Sequence, residues 1–201
     1  MVEGLRERKK QRTRQALIQA ALRLFEEKGY EETTLAEIAA EAEVSTRTFF
    51  SYFASKEDVL FFDSQQRLDR AMTRLAAKTP DQTVADLLRQ FLEDSIEQVI
   101  TGTGTYDAAA LRARLVLTVP SLQARALHLL LDSQLTLAKA LHEAFPDRLS
   151  LQDAGTAVGA LIGAIMVTVM TSVDEGKPID EIIAAVRRAG DVTIAGLGSL
   201  G

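Results

Sequence analysis

Residues 33–62, TTLAEIAAEAEVSTRTFFSYFASKEDVLFF, constrain this chain more than any other stretch. They hold two short helix patterns joined by a tight turn. The first opens at Thr34, with Glu37 three residues on, the spacing of a capping box. Its buried face is Leu35, Ile38, Ala39 and Ala42. The turn falls at Glu43–Val44. Ser45 then caps a short helix carrying Thr46, Arg47, Thr48, Phe49 and Phe50. A helix that short is not stable alone and must be held by packing. Aromatics supply it: Phe25, Tyr30, Phe49, Phe50, Tyr52, Phe53, Phe61 and Phe62 all lie in residues 25–62. Phe49 and Phe53, spaced i, i+4, face the same way.

The pattern is that of a helix-turn-helix, which places its second helix in the DNA major groove. With Phe49 and Phe53 turned inward, Thr46, Arg47, Thr48 and Ser51 stand on the outer side or the ends of that helix. Arg47 is the best base reader, because one guanidinium can bond guanine O6 and N7 together. Thr34 and Ser45 sit at helix N-termini, where backbone amides attract anions, although plain capping explains them as well. Lys56 opens the next helix, where positive charge opposes the dipole, which suggests a phosphate partner. Tyr52 offers a hydroxyl at the same edge, or fills the rim of the core.

The rest of the chain also reads as helix, so the expected fold is all-α with about nine helices. The first runs from Lys9 to Lys28 and stops at Gly29, with an apolar stripe of Leu17, Ile18, Ala21, Leu22 and Phe25. Ser55 with Asp58 opens a long fourth helix, Lys56 to Lys78. Further helices are expected at Val84–Ile100, Tyr106–Leu117, Pro120–Ala144, Leu151–Val173 and Ile179–Ala195. A flexible turn is read at residues 101–105 and a frayed tail at 196–201.

Net charge is −5, which argues against nucleic acid until its distribution is considered. Residues 1–56 carry ten Lys/Arg and nine Asp/Glu, and residues 57–201 carry thirteen and nineteen. The first fourteen residues alone hold Arg6, Arg8, Lys9, Lys10, Arg12 and Arg14. DNA contact needs such a local cationic surface rather than a basic protein. Cysteine is absent, which leaves no disulfide or thiolate chemistry. The opening residues do not read as a secretory signal. The 20 residues from Ala154 to Val173 carry no charge, about the length that spans a bilayer. They are rich in Gly, Ala, Thr and Ser and are flanked by Asp153, Asp174 and Glu175 rather than by basic residues. We read them as a helix of a soluble, cytoplasmic protein, with a membrane-associated protein as the alternative.

Ala36-Glu37-Ile38-Ala39, Val44-Ser45, Thr48-Phe49-Phe50, Tyr52-Phe53 and Lys56 together resemble the DNA-binding domain of the TetR family of bacterial transcription regulators. The resemblance covers about 30 residues and extends loosely over the first helix. It implies a DNA-binding domain over residues 1–55 and a helical ligand-binding and dimerisation domain over 56–201. It implies that Thr34, Ser45, Tyr52 and Lys56 touch phosphates and that the second short helix reads the bases of a palindromic, double-stranded operator. Three positions depart from the family. Glu43 stands where Gly is usual, and Glu tolerates φ > 0 less easily. Arg47 replaces another common Gly. Phe50 replaces a common Tyr and loses its hydroxyl.

For the remainder, the resemblance implies a homodimer through residues 151–173 and 179–195. It also implies an effector pocket that is mostly apolar, so that a small, largely apolar molecule would release a repressor from DNA. Candidate polar liners are Tyr106, Arg112, Arg114, His128, Gln134 and Thr168, each of which could equally serve packing or surface. The stretches Arg112–Leu115, Pro120–Arg125 and STRTFFSYFASKEDVLFFD resemble a subgroup with acyl-CoA-like ligands. No metal or other cofactor is expected. His128 and His142 are fourteen residues apart, about 21 Å of helical rise, too far to share an ion. No catalytic signature appears, so an enzyme with an unrecognised site is only a rival reading.

Overall fold

The computed structural model describes residues 4–103 and 105–197, the side chains at positions 100, 102, 103 and 106 excepted. Ten helices stand among the described residues: α1 (Leu5–Lys28), α2 (Leu35–Glu41), α3 (Thr46–Phe50), α4 (Lys56–Leu60), α5 (Ser64–Ala76), α6 (Val84–Thr103), α7 (Tyr106–Thr118), α8 (Pro120–Ala144), α9 (Leu151–Asp174) and α10 (Ile179–Gly196). No strand occurs among those residues. The all-α fold is thus as the sequence indicates. Residues 198–201 of the expected frayed tail lie outside the described residues, as does Gly104 of the expected turn. The turn itself is shorter than expected, because α6 runs on to Thr103.

The long helix expected over Lys56–Lys78 is two helices. The chain turns at 61–63, and the cause is tertiary. Arg14 of α1 donates a hydrogen bond to the Phe62 carbonyl. The Asp63 carboxylate, which would otherwise cap α5, instead accepts from Arg112 of α7 at 3.0 and 2.6 Å. Ser64 restarts the helix by bonding the Phe61 carbonyl through both its amide and its hydroxyl.

Three apolar clusters hold the helices. The first joins α1 to α4 around Phe25, Phe49 and Phe53, and takes in Leu111, Leu115 and Leu122 from α7 and α8. Phe49 is fully buried, 5.7 Å from the Phe53 ring, so five-residue α3 is fixed by its packing. The second cluster packs α5, α6, α8, α9 and α10, and the third packs Leu92 and Ile96 of α6 on Ile182 and Val186 of α10. Gly190 permits that last approach: a Cβ there would overlap Leu92 Cδ2.

Helix α9 is long and apolar enough to cross a membrane by length and composition, yet only 22% of its most apolar window is buried within the single chain. A Cβ at Gly155, Gly159 or Gly163 would meet nothing within 4 Å. One side of α9, with Ala154, Ala157, Val158 and Leu161, is packed into the second cluster, and much of the rest of the helix is not covered by this chain. Its face of small residues, with Met166, Val167 and Met170, is open, as is Val192 of α10.

Candidate nucleic-acid interface and effector cavity

The helix-turn-helix forms for the reasons its residues give. Thr34 accepts from the Glu37 amide at 3.3 Å and Glu37 accepts from the Thr34 amide at 2.9 Å, completing the capping box. Lys28 and Glu37, and Arg23 and Glu41, form ion pairs that tie α2 to α1. The Lys28 ammonium, with the Thr34 hydroxyl and amide, holds the Glu37 carboxyl down at about 2. In the turn, Glu43 adopts φ 55°, the left-handed conformation in which the resembled family usually carries Gly. Ser45 caps α3 by accepting from the Thr48 amide at 3.1 Å.

Thr46 and Arg47 are exposed, as are Ser45 and Thr34. Thr48 is half-buried and its hydroxyl lies 2.9 Å from Ser45 Oγ, while the Ser51 hydroxyl donates to the Thr48 carbonyl at 2.6 Å. The residue that sequence reasoning undervalued is Phe50. It is 56% exposed and sits edge-on to Phe49 with ring centroids 5.8 Å apart, so it stands at the rim of the aromatic core on the outer side with Arg47. The signal was present: Phe49 and Phe53 already occupy the inward positions, and Phe50 cannot share their face.

Two cations are placed differently from expectation. Lys56 Nζ donates to the carbonyls of Tyr30, Glu31 and Thr33 at 2.8, 3.3 and 3.3 Å and lies 4.3 Å from the Tyr30 ring centroid. Its unfavourable place at a helix start is therefore compensated within the chain, and no phosphate is needed to explain it. Arg14 leaves the cationic N-terminal face: its guanidinium lies 5.8 Å from the Phe53 ring and 5.5 Å from the Phe62 ring. Tyr52 is half-buried against the aromatic core.

A cavity of about 590 Å³ opens between α5, α6, α7, α8 and α9. That lies within the usual range for small-molecule sites. Leu88, Phe91, Val116, Leu161 and Ile165 contribute to a largely apolar wall. Of the polar liners proposed from sequence whose side chains are described, Arg112 alone is among the lining residues. Arg114 is exposed, Gln134 and Thr168 are half-buried elsewhere, and His128 is exposed 3.4 Å from Asp132. The Tyr106 side chain lies outside the described residues. Arg67 and Gln98 line the cavity and were missed, since each falls inside an ordinary amphipathic helix pattern. A smaller open cleft of about 290 Å³ lies by Tyr52, Asp58 and Arg125, but its walls are already ion-paired at 3.2 Å.

The cavity and the helix-turn-helix share one polar junction. Asp63, 2% exposed, is bonded by Arg112 and ion-paired with Arg67. Burial pushes its carboxyl up, but Arg112 and Arg67 together outweigh this and hold it below the usual range. The Phe62 ring is in contact with both Arg14 of α1 and Arg112 of α7, whose guanidiniums are 5.5 and 5.0 Å from its centroid. A continuous chain of contacts thus runs from Arg67 in the cavity to Arg14 in α1.

An exposed, capped short helix over an aromatic core is the geometry of a helix-turn-helix. Residues 17–61 match the family described as bacterial regulatory proteins, tetR family. Over 56 residues the chain is 59% identical to the HTH-type transcriptional regulator TcmR of Streptomyces glaucescens, a match spanning 28% of this chain and 25% of that relative. The relative is named as a regulator of transcription, not an enzyme. The fold extends the likeness over most of the chain. SmeT, described in complex with triclosan, superposes with a TM-score of 0.60 at 20% identity, covering 92% of this chain and 90% of that one. FadR from Bacillus subtilis, in complex with stearoyl-CoA, gives 0.55 at 22%, covering 90% and 97%.

Proposed function

We propose that the whole chain is a TetR-type transcription regulator, a cytoplasmic homodimeric repressor that a small, largely apolar molecule releases from a palindromic operator. The observation that carries this reading is that α3 buries Phe49 and turns Thr46, Arg47 and Phe50 outward. In this proposal Arg47 reads a base, with Thr46, Thr48, Ser51 and Phe50 beside it. Thr34, Ser45, Tyr52 and the exposed N-terminal cations meet phosphates, and Lys56 does so through the loop it clamps.

Residues 1–55 form the DNA-binding unit and 56–201 the sensing and dimerisation unit, with α4 between them. The open faces of α9 and α10, in residues 151–173 and 179–195, meet their copies in the dimer, which sets the two recognition helices at half-site spacing. An effector in the cavity favours one arrangement of the junction and so shifts that spacing. The finer resemblance to regulators of acyl-CoA-like ligands is supported by the FadR likeness in fold. The triclosan complex of SmeT supports only an apolar ligand.

The test is fluorescence anisotropy at fixed, near-physiological salt, with the duplex preceding this protein's own gene against a scrambled duplex. Tight binding to the former and not the latter supports the reading. If duplexes selected from a random pool also bind no better than scrambled DNA, the reading fails.

A further inference from the structure

The cavity's polar end is not balanced within the chain. Two guanidiniums, Arg67 and Arg112, face the single carboxylate of Asp63. Burial pushes the Arg67 guanidinium below its usual range, and Arg112 lowers it further, against the pull of Asp63. Of the other charged liners, Asp94 is taken by Arg74 at 2.7 Å, and Arg70 and Asp132 are exposed. Arg67 is the less covered of the two: its side chain keeps 29% of its surface accessible, against 9% for Arg112, with its Nη1 buried. Gln98 is 5% exposed and lines the same cavity. Its Nε2 donates to the Asp94 carbonyl at 3.1 Å, but its Oε1 is buried with no hydrogen-bond partner. A buried acceptor left without a donor is unfavourable, and a ligand that supplies one gains the difference.

We propose that the effector is an apolar molecule bearing one anionic group and one hydrogen-bond donor. Its anion is held by Arg67 and Arg112 in competition with Asp63, and its donor is set against Gln98 Oε1. The inference rests on the reading of this cavity as the effector site and adds the charge of what fills it. The competition supplies the signal. An anion that draws Arg67 and Arg112 off Asp63 weakens the Arg112–Asp63 contact at the α4–α5 turn, where Phe62 packs on both Arg112 and Arg14, so occupancy is felt at α1.

Two dyes with one frame test this. 8-Anilinonaphthalene-1-sulfonate carries a sulfonate and an N–H; N-phenyl-1-naphthylamine carries the N–H without the charge. Full-length protein is titrated with each, following fluorescence and stoichiometry. The sulfonate is expected to bind once per chain, about ten-fold tighter than the neutral dye, from charge-assisted hydrogen bonds. Arg67→Met should abolish that preference and leave the neutral dye unchanged. Asp63→Asn should tighten the sulfonate alone, by about three-fold or more, since it removes the competitor. Gln98→Leu should weaken both dyes about five-fold. Variants are compared only where helical content and melting are retained, and Arg67→Met suffices if Asp63→Asn does not fold. The proposal is overturned if both dyes bind the cavity equally, or if Arg67→Met leaves the preference intact. Ala71→Phe or Ala126→Phe, which narrow the cavity, should block both dyes. If binding survives them, it lies elsewhere, and the cavity reading itself fails rather than only its charge.

Discussion

Replacing Arg112 by Met leaves the hydrocarbon bulk of the side chain but removes both hydrogen bonds to Asp63, at 3.0 and 2.6 Å, and the guanidinium over the Phe62 ring. Asp63 stays buried at 2% exposure. Stranding one partner of a buried pair costs about 3–5 kcal/mol. Arg67 remains beside Asp63 and recovers part of this, since a hydrogen bond to a charged group contributes about 1.5–3 kcal/mol. The net expected loss is about 1–3 kcal/mol, which for a chain of this size lowers Tm by about 2–12 °C. Urea unfolding of wild type, Arg112→Met, Asp63→Asn and the double variant measures it directly. The double variant should be less destabilised than the sum of the singles, by about 2 kcal/mol. Additive effects, or an Arg112→Met loss within about 0.5 kcal/mol of zero, would refute the claim that this pair fixes the α4–α5 turn.

Glu43→Gly should stabilise the protein by about 0.5–1 kcal/mol in thermal unfolding, because it relieves a left-handed residue at φ 55°; a loss would contradict the assigned turn. The Glu37 carboxyl is depressed from 4.5 to about 2 in the folded chain, so its stabilisation is present above about pH 4.5 and is lost as pH falls toward 2. Urea midpoints should drop through that window, and Glu37→Gln should flatten the drop; an unchanged slope would show the Lys28 pairing to be idle. Met170→Glu places a charge on the open face of α9 and should convert a species of twice the 21.9 kDa chain mass into monomer, read by light scattering. A wild-type monomer would remove the proposed interface.

Local signals carried most of the fold. The capping box at Thr34, the Ser45 cap, the stop at Gly29 and Pro120 at the start of α8 are short-range chemistry, and they placed those boundaries closely. What escaped was set by partners far along the chain. The α4–α5 turn depends on Arg14 and Arg112, each nearly fifty residues from the group it holds, and the 56–78 pattern alone reads as one continuous helix. The same holds for the sites. Arg47 and Thr46 could be placed outside because Phe49 and Phe53 must lie inside. The clamp that Lys56 forms was not legible, because the carbonyls it bonds belong to the α1–α2 loop. Arg67 and Gln98 were invisible because nothing in a helical pattern tells which polar residue faces a cavity and which faces water.

The claim at the centre of this account is that α3 reads bases through Arg47, and the most direct measurement is a specificity ratio. A duplex selected from a random pool and a scrambled duplex are titrated at one salt concentration with wild type and with Arg47→Ala. Wild type should prefer the selected duplex by about 10³-fold or more. Arg47→Ala should lose about 1–3 kcal/mol on the selected duplex and little on the scrambled one, as expected for a base contact. Equal losses on both duplexes would make Arg47 a phosphate contact, and no loss on either would take it out of the interface.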